Sequence, residues 1–472
     1  MNSFVHAAIH HLEALVRRAA QVGAALALVL LCAGCSSTRP WINEPLRANS
    51  AAVDSAAIAH RDPSALVAVT LSGGGARAAA FGLGVLREMG ATACCWDDRN
   101  SNLLDAVDLV SGVSGGSIVA AYFAAFGASG LDGFETKFLR QDFQSGLVHQ
   151  LVRPQNLFAL TSPWIGRSHL LQAQLDQLFN GETFGDIARR PRHPQLVVTA
   201  TDLARGTGFD FTTEQFDLIC SDLSSVPLSF AVAASSAVPV LLTPLTLRNY
   251  AGQCGTAAPE TPATAPYAND YRSRLLASQR RSYRNEAAAP YIHLVDGGLA
   301  DNLGVRRLLD RAMSAGTVAA AFNEVPIRPG SIKRLVLVSV NAGGDLSHRV
   351  EDSDRVPATL EVIDALRFSE VAHANDETTE YLTDIAQRWR DEVRAGRRDA
   401  FVGFAPDVEI FLIKLTLRSV PDAQLSQQLL RVPTAFSIPD ADVTNLIAAG
   451  GAALRASPEF QALRRSLGGV MP

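Results

Sequence analysis

The sequence predicts an α/β fold, with a largely parallel sheet covered by helices on both faces. Three observations carry that prediction. Short apolar runs near residues 65–71, 107–111, 196–201, 291–295 and 334–340 have the length and composition of buried strands. The stretches between them are mainly helical in their apolar spacing, as crossovers between parallel strands require. With 472 residues, 47% hydrophobic and 19% charged, the chain suffices for one large domain or one domain with accessories.

Near the amino end, Arg17 and Arg18 precede an apolar run at residues 22–31. The run is too short for a typical membrane-spanning helix and fits the hydrophobic region of a secretory signal. It ends in Cys32-Ala33-Gly34-Cys35-Ser36-Ser37, which resembles a bacterial lipoprotein signal with Cys35 as the lipidated residue. Cys32 departs from that pattern, in which Leu is usual, and an ordinary cleaved signal is the competing reading. The expectation is a signal peptide at residues 1–34 and a lipidated polar tether at 35–63, with a membrane as partner through acyl chains on Cys35. Ser36 after the cysteine leans, by the same resemblance, toward the outer membrane or the periplasmic side of the envelope. A start downstream of Met1 stays open.

The first strand, Leu66-Val67-Ala68-Val69-Thr70-Leu71, runs into Ser72-Gly73-Gly74-Gly75-Ala76-Arg77. Apolar residues then resume at Phe81, Leu83, Val85 and Leu86, with mostly helical spacing. Successive glycines leave backbone N–H groups unobstructed, which suits a phosphate or an oxyanion. No Gly-Lys-Ser/Thr follows, and no G-x-G-x-x-G with a downstream ribose acid, so a nucleotide phosphate is disfavoured.

At the second strand end, an apolar run at residues 106–110 meets Gly112-Val113-Ser114-Gly115-Gly116, and small apolar residues follow at 118–125. Such a strained strand-to-helix turn exposes a serine hydroxyl as a nucleophile. It also starts a helix whose free N–H groups and dipole favour negative charge on an attacked carbonyl. By itself the pattern equally describes a tight turn with a solvent-facing serine. The glycine-rich cradle upstream favours the nucleophile, because an oxyanion hole and an attacking serine explain one another.

Further along, Tyr291-Ile292-His293-Leu294-Val295-Asp296-Gly297-Gly298 is an apolar run closing on an acid and two glycines. Asp296 would reach the carboxyl edge of the sheet, where active sites of open α/β folds lie. For Asp-Gly-Gly taken alone, a simple turn is the alternative.

Together these motifs resemble the patatin-like phospholipases. Gly73-Gly74-Gly75-Ala76-Arg77 is similar to the family's oxyanion motif, Gly112-Val113-Ser114-Gly115-Gly116 to its nucleophile elbow, and Asp296-Gly297-Gly298 to its Asp-Gly-Gly/Ala motif, in the family's order. Val198-Thr199-Ala200-Thr201-Asp202-Leu203 and Ala234-Ser235-Ser236-Ala237-Val238-Pro239 also resemble family segments. The resemblance covers residues 64–345; Ala78 stands where a glycine usually follows the motif arginine. It implies a three-layer sandwich with a largely parallel central sheet. It also implies a Ser114-Asp296 dyad, with Asp296 as the base and an acyl-enzyme intermediate on Ser114. Backbone N–H groups among Gly73, Gly74, Gly75 and Gly115 would bind the oxyanion, each donor being worth about 3 kcal/mol. Arg77 would orient that loop or meet a phosphate headgroup; Gly112, Gly116, Gly297 and Gly298 support the motifs.

A Ser-His-Asp triad is the competing arrangement. His293 precedes Asp296 by three residues on an apparent strand, so their side chains face opposite ways. His348 and His373 fit the chain order of a triad but lie in polar sequence without a recognisable strand-loop setting.

A net charge of −5 gives no reason to expect nucleic acid. No cysteine spacing resembles a zinc site and no calcium loop is evident, so neither metal nor cofactor is expected. Of Cys94, Cys95, Cys220 and Cys254, the pair Cys220 with Cys254 is the preferred disulfide. An insertion at residues 250–290, with Arg272, Arg274, Arg280, Arg281 and Arg284, reads either as a mobile cap meeting anionic lipid or as a solvated loop.

Residues 346–472 form a carboxyl-terminal extension that completes or covers the core. Within it Leu382, Ile385, Trp389 and Val393 share a helical face, residues 408–417 read as a strand and 442–467 as helical. Three functions follow: a lipid acyl hydrolase of phospholipase A or lysophospholipase type, a serine esterase or thioesterase on smaller acyl substrates, and a noncatalytic lipid-binding lipoprotein. Oligomeric state is not legible.

Overall fold

The computed structural model describes residues 38–47, 64–93, 102–191, 193–254, 271–314, 330–344, 354–395 and 404–468. Among them lies one eight-stranded sheet, with strands β1 (Ala65–Leu71), β2 (Leu109–Val113), β3 (Gln195–Asp202), β4 (Thr207–Phe211), β5 (Leu245–Arg248), β6 (Tyr291–Val295), β7 (Ile332–Asn341) and β8 (Phe404–Thr416). Its order is β5-β6-β3-β2-β1-β7-β8, with β4 paired to β3. β8, β7, β1, β2 and β3 run parallel, whereas β4 and β6 are antiparallel to β3. The helices include α1 (Gly75–Ala91), α2 (Gly115–Phe134), α3 (Phe143–Leu151), α4 (Pro154–Ala159), α5 (Leu228–Ser235), α6 (Tyr271–Tyr283), α7 (Arg306–Ser314), α8 (Thr359–Arg394) and α9 (Asp440–Ala456).

Every residue of β1 is buried, as expected of a central strand covered on both sides. Its side chains alternate between two cores. Val67, Val69 and Leu71 join Phe81 and Leu83 of α1 and Leu446 of α9, while Leu66 and Ala68 join Leu308 of α7 and Trp389 of α8. Each fully buried Val or Leu contributes roughly 1.5–3 kcal/mol. The protein is therefore a three-layer α/β sandwich with a mostly parallel sheet.

The carboxyl-terminal third enters both layers and the sheet. β8 lies along β7 as an edge strand. Leu382, Ile385 and Trp389 pack against the sheet from α8, as their spacing predicts. The helical stretch at 442–467 is two helices, α9 and a second at Pro458–Ser466, divided where Pro458 cannot continue the hydrogen-bond ladder. Where α9 crosses α1, a Cβ on Gly84 would lie 2.0 Å from the Ile447 carbonyl oxygen, so the absence of a side chain sets the helix spacing.

Residues 38–47, expected within the tether, are instead fastened to the fold. Asn43 is buried, donating to Ser221 Oγ at 2.8 Å and the Arg248 carbonyl at 2.9 Å and accepting from Arg248 N–H at 2.7 Å. Trp41 packs on Phe230, ring centroids 4.7 Å apart. A short polar segment can dock in this way when its polar groups find partners, here backbone groups of Cys220 and Asp222 for its main chain and of the β5 edge for the Asn43 side chain. Cys35 and the signal region lie outside the described residues. The Cys220–Cys254 disulfide is formed, with Cα atoms 5.9 Å apart.

Candidate active site

Leu109–Val113 of β2 ends at Ser114, and α2 begins at the next residue. Gly112 thus belongs to the strand, and Gly115 and Gly116 open the helix. Ser114 holds φ 49° and ψ −123°, in the positive-φ region that a residue with a side chain seldom adopts. The turn is held there from three sides. Ser114 N–H donates to Ser235 Oγ at 2.8 Å, and the Ser114 carbonyl accepts from Ser117 Oγ at 2.6 Å and Ser117 N–H at 2.9 Å. Such strain persists only where the surroundings over-determine it, which is usual at functional turns.

Ser114 Oγ donates directly to Asp296 Oδ2 at 3.0 Å. The carboxylate is oriented by Gly298 N–H, which donates to Oδ1 at 2.8 Å. Its backbone is fixed as well: Asp296 N–H donates to the Ala237 carbonyl at 3.0 Å, Gly297 N–H to the Ser235 carbonyl at 3.0 Å, and Thr201 Oγ1 to the Asp296 carbonyl at 2.8 Å. Ser114 and Asp296 are 7% and 6% exposed, so the pair sits in a low-dielectric place where a shared proton interacts strongly.

The route by which Asp296 arrives differs from the expected one. β6 runs antiparallel to β3, with Val295 opposite Thr201, while Val113 of β2 lies opposite Thr199. β6 therefore runs in from beyond the carboxyl end of β3, and Asp296 turns at the level of Ser114. An isolated apolar run does not encode its direction, and an antiparallel strand delivers its terminal residue as well as a parallel one.

On the other side of Ser114 stand the glycines after β1. Gly74 and Gly75 have φ of 141° and 60°. A Cβ on Gly75 would lie 2.3 Å from the Ala435 carbonyl oxygen, and one on Gly115 would lie 2.0 Å from the Gly75 carbonyl oxygen. The starts of α1 and α2 thus approach each other, and neither has an acidic residue in its first turn to offset its dipole. Gly73 N–H donates to the Asn302 carbonyl at 3.1 Å, which removes it from the expected donor set while that bond stands. Gly74, Gly75 and Gly115 have no such backbone acceptor among the described residues.

Arg77 is 3% exposed and its guanidinium is spent on protein. Nε donates to the Ala342 carbonyl at 2.9 Å, Nη1 to the Val432 carbonyl, and Nη2 to Thr434 Oγ1 at 3.2 Å. Burial pulls its pKa down to about 10. Of the two expected roles, loop positioning fits this geometry and headgroup contact does not.

Among the described residues, neither His293 nor His373 bridges the pair. His293 is exposed and meets Thr246 Oγ1 at 2.9 Å on the β5–β6 edge, and His373 is exposed on α8. His348 lies outside the described residues. In the insertion, residues 255–270 also lie outside them, and α6 is fastened to the end of β3 and to Glu214. Tyr283 O–H donates to Asp202 Oδ2 at 3.0 Å, Arg205 donates to the same oxygen at 2.7 Å, and Arg280 pairs with Glu214. Burial pushes the Tyr283 phenol pKa upward, which keeps it a donor.

Sequence reasoning missed Ser235 as a support. Its hydroxyl accepts from Ser114 N–H and donates to the Thr199 carbonyl at 2.6 Å. The resemblance of the segment at 234–239 was its only signal. Asn302, Val432 and Ala435 had none. No group of three or more His, Cys, Asp or Glu side chains able to hold a metal occurs among the described residues.

The patatin-like phospholipase family model matches residues 69–309, just over half of the chain. No curated protein matches. Among solved structures, human GIVD cytosolic phospholipase A2 in complex with methyl gamma-linolenyl fluorophosphonate is similar at 12% identity and a TM-score of 0.39, over 86% of this chain and 60% of that one. VipD from Legionella pneumophila is similar at 14% identity and a TM-score of 0.33, over 89% and 71%. ExoU from Pseudomonas aeruginosa, in complex with SpcU, is similar at 14% identity and a TM-score of 0.22, over 92% and 86%. The chain thus spans 60% of the length of the human enzyme. The family match includes the glycine loop, the Ser114 turn and Asp296, and on its extent the chain belongs to the patatin-like phospholipase family.

Proposed function

We propose that the protein is a lipid acyl hydrolase that cleaves carboxylic esters of phospholipids or lysophospholipids through Ser114 and Asp296. The observation that carries this reading is the direct 3.0 Å hydrogen bond from Ser114 Oγ to Asp296 Oδ2 beside two helix amino termini. Asp296 takes the Ser114 proton as Oγ attacks the ester carbonyl. The oxyanion that forms is held by N–H groups of Gly74, Gly75 and Gly115. Collapse of the intermediate expels the alcohol portion, which receives the proton from Asp296. Water, deprotonated by Asp296, then attacks the acyl-Ser114 ester, and Asp296 returns that proton to Ser114 Oγ as the fatty acid leaves. Metal-free chemistry of this kind needs no histidine.

We also propose that acyl chains on Cys35 hold the enzyme at the bacterial envelope; a chain that incorporates no radiolabelled fatty acid, compared with a Cys35→Ala control, would end that idea. For the hydrolase, a fluorophosphonate probe is expected to label the wild type and not Ser114→Ala. Turnover is expected to rise sharply when the substrate is presented as micelles or vesicles. Labelling without that rise would favour an esterase of small soluble substrates, and equal labelling of Ser114→Ala would remove the nucleophile.

A further inference from the structure

Several of the exposed large apolar side chains lie on two neighbouring helices and on a loop joined to them. Val148 lies on α3, Val152 follows it, Leu157 and Phe158 lie on α4, and Trp164 stands in the turn beyond. Val152 and Leu157 are 64% and 54% exposed. Val240 and Leu241, 64% and 67% exposed, join from the loop after α5. Arg167 ties the two parts together, donating to the Val240 carbonyl at 2.8 Å. Val240 holds φ 73°, a left-handed conformation that is costly for a β-branched residue, so the exposed pose of this loop is imposed by its surroundings.

Charge selects what covers this face. Residues 143–167 and 238–249 contain no Asp or Glu and include His149, Arg153, Arg167 and Arg248, in a chain of net charge −5; the adjoining acid is Asp142, at the amino end of α3, where its carboxylate accepts from Ser145 N–H. Exposed aliphatic residues with Trp and Phe, and more arginine than acid beside them, match the boundary between headgroups and acyl chains of an anionic bilayer. Large exposed apolar patches mark interaction surfaces in soluble proteins.

Two further observations place the face relative to anchor and site. Ser162 Oγ donates to the Thr38 carbonyl at 2.9 Å, and the Arg39 guanidinium lies 3.8 Å from the Trp164 ring centroid. The chain therefore leaves this face only three residues after Cys35, a reach of about 11 Å at most. Two short paths of chain and contacts also connect the face to the proposed site. The Val240 loop follows Ala237, which accepts from Asp296 N–H, and Phe143 at the start of α3 contacts Phe436, next to the Ala435 that holds Ala76 N–H at 2.7 Å.

We propose that α3, α4, Trp164 and the Val240-Leu241 loop form the surface by which the protein lies on a phospholipid bilayer containing anionic lipid. The proposal deepens the lipid-hydrolase reading and draws on the Cys35 anchor. Its test separates them by using the full chain with Cys35→Ala and vesicles of phosphatidylcholine and phosphatidylglycerol with brominated acyl chains. Tryptophan emission is expected to be quenched, and Trp164→Phe to remove most of the quenched signal. Val152→Asp with Leu157→Asp is expected to lower partition into the vesicles by about tenfold, with the melting temperature near that of the parent. Quenching that survives Trp164→Phe unaltered, or partition that survives the two aspartates, overturns the proposal. Conversion of a dimer to a monomer by the aspartates, with quenching unchanged, assigns the face to a second copy and also overturns it. Partition needs no turnover, so a chain that binds through this face yet releases no fatty acid refutes the hydrolase reading alone.

Discussion

The two sides of Ser114 are held by different parts of the chain. On the carboxylate side, Asp296 is fixed by Thr201, Ala237 and Gly298, all inside the family-matched residues 69–309. On the donor side, the glycine loop is braced by Ala342, Val432, Thr434 and Ala435, all beyond that stretch, and only Asn302, which holds Gly73 N–H, lies inside it among these partners. The groups proposed to do the chemistry are thus confined to short motifs, while half of what positions them comes from sequence that carries no motif. An oxyanion donor displaced by an ångström loses much of its effect, so the brace bears on rate as well as stability.

Among the groups that only position the proposed dyad, breaking the brace is expected to have the largest effect. Arg77→Met leaves two buried carbonyls without a charged donor, with an expected loss of about 3 kcal/mol in denaturant titration and a fall in kcat of about 100-fold. A folded Arg77→Met enzyme with normal kcat would show that the glycine loop stands without the carboxyl-terminal third.

On the carboxylate side, Asp301 gives a pH test of similar size. Its buried carboxyl, with Asp210 also nearby, has its pKa pushed up to about 6. Between its ordinary value and that figure the native state keeps a proton that the unfolded chain has lost. Stability therefore falls as pH rises through this window. The wild type is expected to lose about 3 kcal/mol more than Asp301→Asn between about pH 4 and 7, measured by denaturation at each pH. Parallel curves would remove the effect.

Gly84→Ala sharpens the comparison by moving α9 without touching the Arg77 bonds. The new methyl meets the Ile447 carbonyl, and a loss of about 2 kcal/mol in melting experiments is expected. The smallest effect is expected of Ser235→Ala, about 1 kcal/mol and a few-fold in kcat, because it removes one neutral support of the elbow.

Much of the fold and most of the proposed machinery were legible in sequence for physical reasons. Buried parallel strands appear as unbroken apolar runs such as Leu66 to Leu71, and a close backbone approach at Gly75 and Gly115 demands glycine. The donor set was read one residue too wide, because the bond from Gly73 N–H to Asn302 joins residues far apart in the chain. The antiparallel entry of β6 and the contacts of Val432 and Ala435 were illegible for the same reason: they depend on the path of the chain through space. Asn43 shows the converse, a polar residue read as tether that is buried because its hydrogen bonds are met.

The central claim is that Ser114 works with Asp296 and without an imidazole. It is tested most directly by fatty acid release from phospholipid vesicles, with Asp296→Asn compared against the combined His293→Ala, His348→Ala and His373→Ala variant. The account predicts a fall of about 1,000-fold or more for Asp296→Asn and turnover within about twofold of the wild type for the histidine variant. A folded histidine variant that loses turnover, or an Asp296→Asn enzyme that keeps it, would contradict the account.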